Sequence, residues 1–110
     1  MEFEQFIKNI MIYLYIKKYQ VFSIGSIALV DCDLHSHPNI KNWISYVYVF
    51  PEFRGQGVST KLLDFIINKY NDKFTLTLWC KHTLNGLYEK NGFIITETLP
   101  SIYIMQKPKV

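Results

Sequence analysis

Two cysteines, Cys32 and Cys80, occur in 110 residues. That is no disulfide framework, and reduced thiols are the ordinary state inside a cell. No apolar run approaches the roughly 18 residues of a membrane-spanning helix. The chain opens with Glu2 and Glu4, where a secretory signal would be basic. Charge of one sign is scarce as well: the formal net charge of +3 is too small to imply a nucleic-acid partner. Repeats, low-complexity tracts and linkers are lacking. These absences lead to the expectation of a cytoplasmic protein with neither a membrane nor a nucleic acid as partner. What is present, 49% hydrophobic and 19% charged residues, is the composition of a folded chain. A chain of this length buries one core, so residues 1–110 are expected to form a single domain.

Phe3, Phe6, Ile7, Ile10 and Met11 fall at helical spacing and predict a short amphipathic helix over residues 2–12. Ile12–Ile16 reads as a strand, Lys17–Gln20 as a turn, and Val21–Val30 as a second strand with Gly25 a bulge or close-packing point. The polar stretch Asp31–Asn42 reads as a loop, and Trp43–Val49 as a strong strand. Val58, Leu62, Leu63, Ile66, Ile67 and Tyr70 form one continuous helical stripe, which Asn71-Asp72 ends. Residues 74–79 alternate as a strand does. Thr83 is placed to cap a helix carrying Leu84, Leu87 and Tyr88, with Asn91-Gly92 as its stop. Strands at 93–98 and 102–105 follow, split by Pro100. The order α-β-β-β-α-β-α-β-β predicts an α/β chain, a mixed α+β sheet flanked by helices.

The stretch Val47–Leu63 organises this pattern: a strand, a turn with Gly55 and Gly57, and a helix that follows at once. Such a turn suits an anion, because backbone N–H groups point outward, no side chain blocks approach, and the helix dipole favours negative charge. A nucleotide P-loop needs four residues between its glycine and its Gly-Lys pair, and Lys61 instead follows Thr60. A dinucleotide fingerprint needs a third glycine where Thr60 stands. Both patterns fail.

A third pattern fits. Pro51-Glu52-Phe53-Arg54-Gly55-Gln56-Gly57-Val58-Ser59, followed by Leu62-Leu63, resembles the acetyl-CoA signature of the GNAT superfamily of N-acetyltransferases, Gln/Arg-x-x-Gly-x-Gly/Ala. Arg54 takes the first place and Gly57 the fourth, while Ser59 stands where the family prefers glycine or alanine. Leu87-Tyr88-Glu89-Lys90-Asn91-Gly92-Phe93 is similar to a second block of the family. The two matches span residues 43–98. The resemblance implies a GNAT-like fold, acetyl-CoA as acetyl donor, no metal, and transfer to a small-molecule or peptide amine by direct attack. It implies that Arg54, Gly55, Gln56, Gly57, Val58, Ser59 and Thr60 hold the CoA pyrophosphate, and that the backbone of Val47, Tyr48 and Val49 pairs with the pantetheine arm. It also implies that Tyr88 is the acid that protonates the CoA thiolate. A phenol, with an ordinary pKa of about 10, keeps its proton at neutral pH.

No base is equally plain. Many family members use a carboxylate on the strand before the signature, directly or through water, and residues 44–49 hold none. His82 and Glu97 are weak candidates, with release through water as the alternative. Asp31, Asp33, His35 and His37 alternate as a metal site in an extended chain would, although a polar loop or attraction of a cationic substrate explains them better. Cys32 and Cys80 lack a nucleophile motif and read as packing residues. GNAT domains commonly place more chain ahead of the first hairpin, and those extra helices wall the acceptor. An open acceptor side, one completed by a second copy in a homodimer, and a non-functional one therefore all stay open. So does the alternative of a CoA-binding module without catalysis, or of an interaction domain that binds no CoA.

Overall fold

The computed structural model describes residues 7–17 and 20–110, with side chains from residue 25 onward. Strand β1 (Ile7–Lys17) and strand β2 (Gln20–Val30) pair antiparallel. Strand β3 (Trp43–Val49) is followed by a single 3-10 turn at Pro51–Phe53 and by helix α1 (Val58–Tyr70). Strand β4 (Leu76–Lys81), helix α2 (Asn85–Lys90), strand β5 (Ile94–Thr98) and strand β6 (Ile102–Lys107) complete the described chain. The six strands lie in the order β1-β2-β3-β4-β6-β5. All neighbours are antiparallel except β3 and β4.

The mixed sheet with two helices follows the sequence pattern, and the start of the chain does not. Ile7–Lys17 is one continuous strand, so the helix expected over residues 2–12 is wrong from Ile7 onward, while residues 2–6 lie outside the described residues. The turn expected at Lys17–Gln20 falls partly on residues 18 and 19, also outside them. Ile7, Ile10, Ile12, Tyr13, Tyr15 and Ile16 are strand formers, and pairing with β2 outweighs their partly helical spacing. The described order is therefore β-β-β-α-β-α-β-β.

Strand β4 starts two residues later than its alternation suggests. Lys73 and Phe74 still donate their backbone N–H groups to Tyr70 O, at 2.8 and 3.2 Å, and the Phe74 ring stacks on Tyr70. Thr83 does not cap α2. The cap position is Leu84, without a side-chain bond, and the first turn is tied instead by Asn85 Nδ2 donating to Glu89 Oε1 at 2.9 Å.

The core lies between one sheet face and the helices. Leu62, Leu63 and Ile66 of α1 are fully buried against Ile27, Leu29, Ile44, Leu76, Leu78, Phe93 and Met105. This is the predicted stripe, with Ile67 and Tyr70 half-buried at its edge. The opposite face carries a smaller cluster of Ala28, Val30, Trp43 and Ile104, over which Leu34, Ile40 and Leu99 pack. Loop 31–42 thus belongs to the fold. Trp43 Nε1 donates to Ile40 O at 2.8 Å, and His37 Nε2 meets Glu97 Oε1 of β5 at 2.8 Å.

One irregularity opens the middle of the sheet. Strands β3 and β4 share a single ladder pair, Trp43 with Thr77, where Thr77 N donates to Asn42 O at 3.2 Å. Beyond it no further pair joins them. Near that point Tyr46 has φ of 54°, and the register of β2 on β3 shifts between Ser26 and Ala28. A non-glycine residue in the left-handed region inside a strand marks a bulge, which turns the strand.

Candidate functional site

Two clefts border β3, one at its end beside the glycine turn and one between it and β4. The larger, of about 420 Å³, is lined by Val49, Phe53, Arg54, Gly55, Gly57, Val58, Ser59 and Leu84. The smaller, of about 160 Å³, is lined by residues of loop 31–42, β3, β4 and α2, among them Val47, Trp79 and Tyr88. Val47 and Val49 are two apart on β3, and Tyr88 and Leu84 are four apart along the chain at α2. Each cleft therefore draws one wall from β3 and another from the segment 84–88.

The glycine turn is built for open backbone. Gly55 and Gly57 have φ of 75° and 77°, and a Cβ added at either would meet nothing within 4 Å. Glycine is there for its left-handed conformation and for the clear space in front of it. The first bond of the α1 ladder runs from Lys61 N to Gly57 O at 3.1 Å, and no side chain caps the helix. The N–H groups of Val58, Ser59 and Thr60 lie ahead of that ladder, at the positive end of a 13-residue helix. These residues fit a pyrophosphate group.

Arg54 is placed otherwise than its motif position suggests. Its Nε donates to Val49 O at 2.8 Å, and its guanidinium sits 5.4 Å from the centre of the Tyr48 ring. The side chain clasps the end of β3 and so fixes the angle at which strand meets turn. Gln56 Nε2 reaches back to Glu52 O at 3.3 Å. Tyr48 and Val49 pair with β2 on one edge, Tyr48 with Ser26 and Val49 with Gly25, while Val47 falls at the register shift. Alternate residues of a strand present their backbone groups to the other edge, here the side from which β4 has diverged.

Tyr88 is 9% exposed, packs edge-on against Phe93 and lines the smaller cleft. Burial pushes its phenol above the usual range, and the neighbouring Cys80 adds to the shift. The Cys80 thiol is itself raised, by burial first and by Glu89 second, and its Sγ lies 3.7 Å from Met105 Sδ. Neither His82 nor Glu97 lines either cleft. His82 Nε2 is 2.9 Å from Leu99 O and its ring packs on Tyr103, while Glu97 is held by His37. The alternating quartet disperses: Asp33 goes to Ser45 and His37 to Glu97. Among the described residues no three His, Cys, Asp or Glu side chains gather as metal ligands would.

Asp33 is the residue that sequence reasoning missed as an individual. Its Oδ1 accepts from Ser45 Oγ at 3.0 Å, and it lines the smaller cleft with Tyr88. The alternation of acids and histidines held the only signal: it offered a metal site, a polar loop or attraction of a cationic substrate, and singled out no one residue of the four. Among the described residues no helix is long and apolar enough to cross a membrane.

Comparison with known proteins bears on the family and the fold. Residues 11–95 match the family model described as an acetyltransferase (GNAT) domain. No protein of curated function matches the sequence. Among solved structures, a protein of Pyrococcus horikoshii OT3 is 29% identical with a TM-score of 0.61, the match covering 80% of this chain and 59% of that one. The PaiA N-acetyltransferase of Thermoplasma acidophilum, in complex with coenzyme A, is 25% identical with a TM-score of 0.57, over 80% and 57% of the two chains. The NatC complex bound to Gag peptide and CoA shares the fold at 22% identity and a TM-score of 0.63, over 80% and 62%. The chain thus spans about three fifths of the length of these structures. With the family model running from β1 into β5, and with both sequence blocks inside it, the chain belongs to the GNAT acetyltransferase domain family.

Proposed function

We propose that residues 1–110 form one acetyl-CoA-binding domain that transfers the acetyl group to a primary amine. The observation that carries this reading is a pair of clefts that share β3 and the segment 84–88 as walls, with the glycine turn in one and Tyr88 in the other. Acetyl-CoA supplies the acyl group as a thioester and is a substrate, not a resident group. The N–H groups at Gly55–Thr60 hold its pyrophosphate. The free edge of Val47–Val49 pairs with the amides of its pantetheine arm, as an added strand would.

The amine attacks the thioester carbonyl directly. A backbone N–H on the open edge of β3 stabilises the negative charge that develops on the carbonyl oxygen. Tyr88 gives its proton to the departing sulfur. An alkylamine has a pKa of about 10.4, so freeing its lone pair costs about 4–5 kcal/mol at pH 7. Over the alkaline range in which that cost falls, burial keeps Tyr88 protonated.

Calorimetry and thiol release together test the reading. Acetyl-CoA is expected to bind saturably, and an amine panel to release CoA thiol. Tyr88→Phe is expected to lower turnover by about 10²–10⁴-fold, the usual share of a general acid, with little change in donor affinity. Saturable binding without release for any amine would favour the CoA-binding module. Absence of saturable heat would remove the donor site altogether.

A further inference from the structure

The smaller cleft has a chemical character that identifies what enters it. Its walls include Asp33, Ser45, Tyr46, Trp79 and Tyr88. Among these lining residues Asp33 alone carries a formal charge at neutral pH. The rings beside it are exposed, Tyr46 by 61% and Trp79 by 40%, so they form a rim.

Asp33 is also held in place. Leu34, next in the chain, is anchored in the apolar cluster with Ile40, and the turn behind it is closed by His37 N donating to Leu34 O at 3.0 Å. The hydroxyl of Ser45 donates to the carboxylate from the facing strand at 3.0 Å. One hydroxyl occupies little of a carboxylate's capacity, which is about four lone-pair sites. A carboxylate flanked by aromatic faces suits a cation with an apolar stem, because the ring quadrupole and the negative charge attract it together.

Resting on the acetyltransferase reading, the geometry points to Asp33 as the residue that selects the acceptor. The acceptor is an alkylammonium, its nitrogen on the Asp33 carboxylate and its stem against Trp79 and Tyr46. Ser45 is a positioning residue that keeps the carboxylate turned into the cleft.

Two experiments test this. The first needs no acetyl-CoA: n-butylammonium chloride is titrated into the full chain while tryptophan fluorescence is followed, with Trp79→Phe identifying the responding ring. Saturable quenching is expected in the wild type, about tenfold or more weaker in Asp33→Asn. That substitution keeps the oxygen that accepts from Ser45 and removes only the charge. Equal affinity in the two proteins overturns the proposal, whatever the fate of the donor site.

The second is kinetic and compares n-butylamine with an arylamine that is neutral at pH 7. Asp33→Asn is expected to raise KM for the alkylamine by about tenfold or more, to leave the arylamine within about twofold, and to leave acetyl-CoA affinity unchanged. Ser45→Ala is expected to shift the alkylamine KM in the same direction by a smaller factor. Equal losses for both amines would show a structural role and overturn the assignment. A wild type that binds n-butylammonium but not acetyl-CoA would sink the transferase reading while leaving the cation site standing.

Discussion

Gly57 shows how much can rest on one residue without a side chain. It holds φ of 77° with nothing near its missing Cβ, so a substitution there meets strain and no collision. Gly57→Val is expected to cost about 1–2 kcal/mol of stability, the penalty of a side chain in the left-handed region. It also places a branched group at the mouth of the larger cleft, so calorimetry should show acetyl-CoA affinity falling much further than the unfolding midpoint implies. This residue was legible in the sequence, because a glycine pair before a helical stripe has few uses. The place of Tyr88 on a short helix was legible for a similar reason, since its block is contiguous. Asp33 was legible only as one of four alternating polar residues. What sets it apart is Ser45, twelve residues away across a loop, and the rings of Tyr46 on the same strand and Trp79 on the next.

Among the elements, α1 was readable almost to the residue, because an apolar stripe of this length has one packing solution. The first half of β1 was not, because its apolar residues satisfy two periods at once and only pairing with β2 decides between them, whereas Ile12–Ile16 read as strand. Gly25 marks where these elements meet. A Cβ there would lie 2.9 Å from Tyr48 O, 3.2 Å from Val58 Cγ1 and 3.3 Å from Leu62 Cδ1. Strand β2 therefore lets β3 and the start of α1 close over it only because nothing projects at that point. Gly25→Ala is expected to destabilise by about 1–3 kcal/mol through overpacking, and to weaken donor binding by moving α1 from β3. Gly86→Ala is the control. It lies in α2 with open space around it, and is expected to stabilise by about 0.5–1 kcal/mol. Urea unfolding of the two variants beside the parent checks both signs.

For the whole molecule, two buried groups bias stability toward lower pH. The Cys80 thiol and the Tyr88 phenol both have folded pKa values above their ordinary ones. A raised acid of this kind contributes stability that is fully present below its unfolded pKa, about 8.5 for a thiol and about 10 for a phenol, and is lost as pH rises through the folded value. The urea midpoint is expected to fall between pH 8 and pH 11, and to fall less in the double variant Cys80→Ala, Tyr88→Phe. An equal fall in both proteins would place the alkaline sensitivity elsewhere. The parting of β3 from β4 has a consequence of another kind. A bare strand edge on a protein's outside recruits other polypeptides and leads to aggregation. Here the edge that β3 leaves bare beyond Trp43 borders a cleft walled on its other side by Leu78 and Trp79 of β4. On the proposed reading, that edge offers its backbone donors to a small molecule held inside the domain, where an outer edge would offer them to another chain.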